Sequence, residues 1–195
     1  MARPEHTLYV PLALAGTALG MTAEEAAADT LLVQSLDTGC ARIETSCGRV
    51  FWRDPEPTVR QQRVRILRNP GEDDLLLIDD VADADGLVVE FRLRRGGDWV
   101  PHTDFDVEPP ERPGWPTTAL RGCWPSRRLA VRTTGPHGWP AVPADITGAA
   151  LLQTTRLYRR KDSPQGVIGS ADWGVSRVSR ADPDVEAMIT DFILQ

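Results

Sequence analysis

Metal-binding patterns are missing from this 195-residue chain, which has only three cysteines and three histidines. The sequence contains no C-x-x-C pair, no His-x-x-x-His spacing and no mixed Cys/His cluster, which are the patterns of zinc sites. Cys40 and Cys47 are seven residues apart, on one face of a predicted helix, as expected for small buried residues in a reducing compartment. The sequence therefore predicts no metal, no cofactor and no disulfide framework.

Long apolar runs are also missing. No stretch approaches the ~18 residues that a membrane span requires. The apolar segment Leu12–Leu19 follows a weak basic start, adjoins Pro11 and runs directly into polar residues typical of a helix start. We interpret it as part of the mature chain and not as a signal peptide. The sequence predicts no membrane partner.

Basic residues are outnumbered, since 22 Lys and Arg face 28 Asp and Glu for a formal net charge of −6. Lys161 is the single lysine. A chain with this balance is not built to coat nucleic acid over its whole surface. Its hydrophobic fraction of 41% is ordinary for a globular protein with its own core.

Known catalytic and phosphate-binding motifs do not occur. There is no G-x-S-x-G elbow. The acidic turn at 79–86 fails as a calcium loop, because the first ligand position falls on Val81 and the twelfth on Arg92. Gly166, Gly169 and Gly174 follow a helix and match neither a P-loop nor a dinucleotide fingerprint. The sequence predicts a protein that is not an enzyme.

Helical patterns occupy both ends of the chain. Thr22 and Glu25 form a capping box, and Asp29 can cap a second helix that continues to Cys47 and ends at Gly48. A further helix begins near Pro143, and its last turn is basic. Asp182 and Pro183 then read as the start of a final helix. The first of these patterns carries one apolar stripe, namely Leu32, Leu36, Cys40, Ile43 and Cys47.

The centre of the chain changes to strand patterns. Alternation predicts extended segments in TVRQQRVRIL, DLLLIDDV, LVVEFRLR, DFDVEP and RRLAVRTTG, with a hairpin turn at 95–98 and the return beginning at Trp99. The proline-rich stretch 109–125 is expected to be a loop. Tryptophans beside these turns, notably Trp99, Trp115 and Trp124, leave open an alternative function as a carbohydrate- or peptide-binding module. That alternative requires the three rings to be exposed on one face.

These patterns give an α+β fold class, in which a small helical bundle from both chain ends carries an inserted antiparallel β module. The expected parts are 1–57 (helical), 58–134 (β-rich) and 135–195 (helical, with a glycine-rich contact loop). The loop, read from the sequence DSPQGVIGSADWGVSRVSRADPDV, joins a basic helix end to an acidic helix start. We interpret it as an assembly-contact arm whose exposed aromatic residue is suited to an interface. The expected partner-binding residues are Arg159, Arg160, Lys161, Gln165, Val167, Ile168, Trp173, Arg177, Arg180 and Phe192.

Both ends of the chain resemble the head–tail connector, or head-completion adaptor, proteins of long-tailed bacteriophages. Members show a GWP-x-VP-x-x-I entry, a helix ending in LYRRR, SP-x-G-x-x-G and a DP-x-[VI] helix, together with an earlier IE-x-x-C-x-R-x-F segment. The order and spacing of these motifs carry the resemblance, and the β module resembles an insertion found in some members. The matching residues here are Gly138, Trp139, Pro140, Val142, Pro143, Ile146, Leu157 to Lys161, Ser163, Pro164, Gly166, Gly169, Asp182 to Val185, and Ile43, Glu44, Cys47, Arg49 and Phe51.

The resemblance implies a structural protein without catalytic activity. Copies would form a ring, commonly twelvefold, beneath the portal protein. The ring would extend the DNA channel and offer a platform to the next neck or tail protein, while double-stranded DNA passes without sequence-specific binding. The implied location is the neck of the virion, with the host cytoplasm as the site of assembly.

Overall fold

The chain divides into a helical unit and a β unit. The computed structural model describes residues 8–68, 73–124, 130–162, 167–168, 176–177 and 182–194. The helical unit comprises Met1–Phe51 and Val142–Gln195, and the β unit comprises Trp52–Ala141. The fold class is α+β, as the sequence predicts. The boundaries between the units lie after Phe51 and after Ala141, whereas the sequence patterns suggest 57 and 134.

Five α-helices make up most of the described part of the helical unit. The starts of α2 (Ala23–Ala28) and α3 (Thr30–Cys47) have the predicted caps. The Thr22 hydroxyl accepts a hydrogen bond from the Glu25 amide at 3.2 Å, and the Asp29 carboxylate accepts one from the Leu32 amide at 3.0 Å. None of the described helices is long and apolar enough to cross a membrane. The helices are α1 (Leu12–Ala18), α2 (Ala23–Ala28), α3 (Thr30–Cys47), α4 (Ala144–Arg159) and α5 (Pro183–Ile189), with 3₁₀ turns at Arg160–Asp162 and Thr190–Phe192.

Helix α1 was not predicted from the sequence. Its N-cap is Pro11, which makes no side-chain capping bond, so the start carries no recognisable signal. The predicted end of α3 is confirmed, because Gly48 takes the left-handed conformation with φ of 68°. Tertiary packing therefore determines where α1 forms, whereas local capping determines where α2 and α3 begin.

Helices α3 and α4 pack closely through small residues. The predicted stripe of α3 is fully buried, and Ala149 and Ala150 of α4 are buried as well. Gly39 lies at a close approach of the two helices, since a Cβ at this position would lie 2.9 Å from the Thr154 hydroxyl oxygen. The glycine inside α3 thus has a packing role that offsets its low helix propensity.

Two four-stranded antiparallel sheets build the β unit. Their strand orders are β1-β8-β4-β5 and β2-β3-β7-β6. Apolar side chains from both sheets form one core cluster, including Leu76, Val89, Leu120 and Val131. The strands are β1 (Thr58–Gln62), β2 (Arg65–Leu67), β3 (Asp74–Val81), β4 (Val88–Arg92), β5 (Val100–His102), β6 (Phe105–Val107), β7 (Thr117–Gly122) and β8 (Ala130–Gly135).

The strands of this unit differ from the sequence patterns in two places. The alternating segment 58–67 is not one strand, because it breaks after Gln62 and its halves join different sheets. The stretch 109–125 is not only a loop, since it contains β7, which pairs with β3 and β6. Prolines flank β7 and conceal it in the sequence, and its strand conformation comes from pairing with neighbours on both sides.

Candidate assembly interface

The end of α4 is tied to the start of α3 by a polar relay. Lys161 Nζ donates to the Tyr158 hydroxyl at 2.6 Å, and this hydroxyl donates to Asp29 Oδ2, also at 2.6 Å. The Tyr158 hydrogen bond lowers the pKa of the Asp29 carboxyl. Because Asp29 also caps α3, the relay fixes the point from which the chain leaves α4.

Two arginines beyond this relay are open to a partner. Arg159 and Arg160 are exposed, and neither pairs with a carboxylate among the described residues. Arg156, by contrast, is 3.1 Å from Asp182 and links α4 to the start of α5. Cations at a helix C-terminus are favoured by the helix dipole whether or not a partner binds, so their position alone does not identify an interface.

Three of the other predicted contact residues lie in a short two-stranded sheet. Val167 and Ile168 form a short strand, β9, which pairs antiparallel with β10 (Ser176–Arg177). The brief extended piece predicted around Arg177 is thus confirmed, whereas β9 was not predicted. Gln165, Trp173 and Arg180 lie outside the described residues.

Phe192 belongs to the core of the helical unit. Its side chain is only 5% exposed, and its ring meets that of Phe51 edge-on at 5.7 Å. The 3₁₀ turn after α5 directs the ring inward, and the Leu194 amide then donates to the Cys47 carbonyl at 2.8 Å. Phe192, which the sequence analysis expects to bind a partner, is instead a core residue of the helical unit.

A groove between α3 and α5 was not predicted from the sequence. Its volume is about 390 Å³, and Gln153 of α4 contributes to its lining. Arg42 lies on the α3 side, and Glu186 lies on the α5 side with Val185 and Ile189. Sequence patterns could place these residues on helices but could not show that two helices separated by more than a hundred residues would face each other.

A buried polar network in the β unit brings together residue types that also occur in acid–base catalysis. His137 Nε2 lies 2.8 Å from the Thr133 hydroxyl, and His137 Nδ1 lies 3.2 Å from the Thr58 hydroxyl. Thr58 in turn donates to Asp54, which also accepts two hydrogen bonds from Arg60. His137 has no exposed surface, so no substrate can reach it and the network is structural.

The network makes the stability of the β unit dependent on pH. Burial lowers the pKa of His137 from its usual 6.5, and the charge of Arg60 lowers it further. The unfolded chain therefore binds a proton near pH 6.5, whereas the folded chain does so only at lower pH.

We expect the free energy of unfolding of the β unit to fall as pH decreases below 6.5. Glu90 and Glu108 have lowered pKa values, so the free energy of unfolding falls by a separate amount as the pH decreases below 4.5. Denaturant titrations at several pH values measure this dependence. His137→Gln should remove the fall in the free energy of unfolding that begins below pH 6.5. An unchanged pH profile in that variant would contradict the assignment.

Trp99, Trp115 and Trp124 do not form the single exposed face that a carbohydrate platform requires. Trp124 is buried and donates to the Asp74 carbonyl at 3.3 Å. Trp115 packs against Trp139 with ring centroids 5.2 Å apart. Trp99 is half-buried, with two guanidinium groups within 4.6 Å of its ring centroid. These rings serve packing and cation–π contacts, so the alternative function receives no support from them.

Across the residues that the structure describes, no three His, Cys, Asp or Glu side chains are grouped as metal ligands would be. Comparison with family models and with curated proteins finds no match. Comparison with solved structures does find matches that extend over almost the whole chain.

One match is a chain in the neck of an empty gene transfer agent particle, computed with C6 symmetry. It has a TM-score of 0.56 and 18% identity, covering 98% of this chain and 93% of that one. A chain in the native particle's neck, computed with C12 symmetry, has a TM-score of 0.50, 15% identity and coverages of 99% and 94%. A chain in the virion of the native particle has a TM-score of 0.54, 20% identity and coverages of 99% and 92%. This protein has the same fold as those chains from the neck and virion of gene transfer agent particles.

Proposed function

We propose that the chain is a structural subunit of the neck of a phage-like particle. The observation that carries this proposal is the shared fold. The match to one of the neck structures covers 98% of the present chain. The motif resemblance to connector proteins is independent of that comparison, because it uses local residue patterns at the two chain ends. The fold and the local motifs thus support the same kind of assembly.

The finer proposal is that copies form a ring beneath the portal, extend the DNA channel and present a platform to the next neck or tail protein. The C6 and C12 symmetries of the two neck reconstructions are compatible with a ring of copies. A ring requires a heterologous contact, in which one face of a subunit meets a different face of the next. We assign no catalytic role, since the histidine of the acid–base set described above has no exposed surface.

The exposed end of α4 is the surface that we propose for the portal. We expect Arg159→Glu combined with Arg160→Glu to weaken portal binding by about tenfold or more, because reversed charges at an interface become repulsive. The matched control is Arg63→Glu with Arg65→Glu, which changes net charge equally at exposed arginines of the β unit. Portal complexes can be counted by native mass spectrometry. Equal binding by both double variants would contradict the assignment of this surface.

The function itself is tested by the composition of purified particles and by the mass of the chain mixed with portal. The proposal predicts several copies per portal assembly and peptides of the chain in particles. A chain that neither binds portal nor occurs in particles would refute it.

A further inference from the structure

We propose that neighbouring copies contact each other through the β unit, with an arginine hairpin on one copy against an acidic edge on the next. The arginine hairpin is the segment Arg92–Val100, which joins β4 to β5. The acidic edge is the segment Asp104–Glu111, which contains β6. The inference rests on the proposed function in one respect, namely that copies are adjacent in an assembly.

The arginine hairpin concentrates positive charge on an exposed turn. Residues 93–98 are all exposed, and Arg94 and Arg95 contact no carboxylate among the described residues. Between Arg92 and Asp98 there are three arginines and one aspartate, a net charge of +2 in a chain whose total is −6. Leu93 and Val100, at 52% and 48% exposure, add apolar surface to the same turn.

Cation–π contacts hold the base of the hairpin. The guanidinium carbons of Arg92 and Arg132 each lie 4.6 Å from the Trp99 ring centroid. Arg132 is itself fixed by Glu90, with Nε 2.6 Å from a carboxylate oxygen. The base is therefore ordered before any partner binds, which reduces the entropy lost on association. Arg94 and Arg95 remain as the charges available for a contact.

The acidic edge has the complementary composition. Its strand β6 is at the edge of its sheet, with β7 as its neighbour there. Asp104 and Asp106 are exposed and contact no cation among the described residues, and Val107 is an exposed hydrophobic residue beside them. Glu108 is already paired with Arg121 at 2.9 Å. Within the part of the chain that the structure describes, the negative charge without a cationic partner is that of Asp104, Asp106 and Glu111.

Charge complementarity favours a second copy as the occupant of both surfaces. Two copies of a chain with net charge −6 repel each other, and opposed patches of unlike charge offset that repulsion locally. Each surface also offers an exposed aliphatic group, which suits the apolar centre and charged rim of a protein contact. Nucleic acid is less well matched, because phosphates make no use of Leu93 and are repelled by Asp98.

The test uses charge reversal on each surface of the full chain. The first variant is Arg94→Glu with Arg95→Glu, and the second is Asp104→Lys with Asp106→Lys. In a heterologous contact each variant repels itself, but a one-to-one mixture restores attraction at both kinds of junction. The control is Arg63→Glu with Arg65→Glu, which has the same charge change as the first variant.

Self-association is measured by sedimentation velocity at low salt, where charge contacts are least screened. We expect each reversed variant to associate about 100-fold more weakly than the wild type, and the mixture to recover to within about tenfold of it. The control should associate like the wild type. Circular dichroism verifies that every variant is folded.

Three results would overturn the inference. They are a monomeric wild type, unchanged self-association of each charge-reversed variant measured alone, and no recovery of association in the mixture of the two variants. If the wild type instead bound duplex DNA and Arg94→Glu with Arg95→Glu abolished that binding, the hairpin would be assigned to DNA. The proposed neck function is judged separately, by portal binding and particle content of the wild type. It stands if the wild type binds portal while its β unit makes no contact between copies.

Discussion

Gly138→Ala should destabilise the β unit by about 4 kcal/mol, through backbone strain together with overpacking. Gly138 has a φ of 102°, a conformation that residues with a side chain rarely adopt. A Cβ at this position would overlap the carbonyl oxygen of Trp52 and lie 3.2 Å from the Arg53 Cα. Both obstacles are backbone atoms, so rotating a side chain cannot relieve the clash.

The position of Gly138 also explains why the neighbouring backbone cannot simply move away. Its amide donates to the Asp80 carbonyl at 2.8 Å, and the indole of Trp139 donates to the Asp80 carboxylate at 3.1 Å. Trp139 is completely buried. A shift at residue 138 would therefore disturb a hydrogen bond and a core tryptophan together.

Five of the six tryptophans belong to the β unit, so tryptophan fluorescence during denaturant titration reports mainly on that unit. Gly86→Ala is the matched control, because Gly86 also has a positive φ, 72°, but has open space around it. We expect this control to lower the free energy of unfolding by about 1 kcal/mol, which is the cost of the left-handed backbone conformation alone. Equal effects of the two substitutions would contradict the close approach to Trp52.

Phe192→Ala should lower the stability of the helical unit by about 3–4 kcal/mol, the cost typical of truncating a buried aromatic ring. The ring packs on Phe51, which also meets Tyr9 edge-on with centroids 5.9 Å apart. Phe51 is completely buried, so truncating Phe192 removes ring contacts from the core of the helical unit. Helical circular dichroism during denaturant titration measures the loss.

The control for this prediction is the adjacent residue, Ile193, which is exposed. Ile193→Ala should change stability by no more than about 0.5 kcal/mol, as is usual for surface positions. If Phe192→Ala left stability unchanged but reduced portal binding, Phe192 would be a partner contact, as its place in the sequence first indicated. The structure predicts the opposite result, namely that Phe192→Ala lowers stability.

Local signals in the sequence account for the elements that carry caps or periodic apolar residues. The Thr22 capping box, the Asp29 cap and the Gly48 end of α3 are all found where the sequence predicts them. Helix α1 and strand β7 have no such signals, and they exist because other elements pack on them. The break after Gln62 is similar, since period-two alternation continues across a point where the chain passes from one sheet to another.

The candidate interface was only partly predictable for the same reason. The sequence identifies a basic helix end, and the structure leaves Arg159 and Arg160 exposed there. It could not show that Phe192 turns inward, because an apolar residue near a helix end fits both a core and a surface contact. Nor could it pair the arginine hairpin with the acidic edge, since complementarity between copies is a property of folded surfaces.

The most direct test of the neck assignment is an image of the chain bound to purified portal. The proposal predicts a closed ring of additional density on one face of the portal, coaxial with its channel, into which copies of the helical unit and the β unit fit. Portal images without added density, or density away from the channel axis, would contradict it.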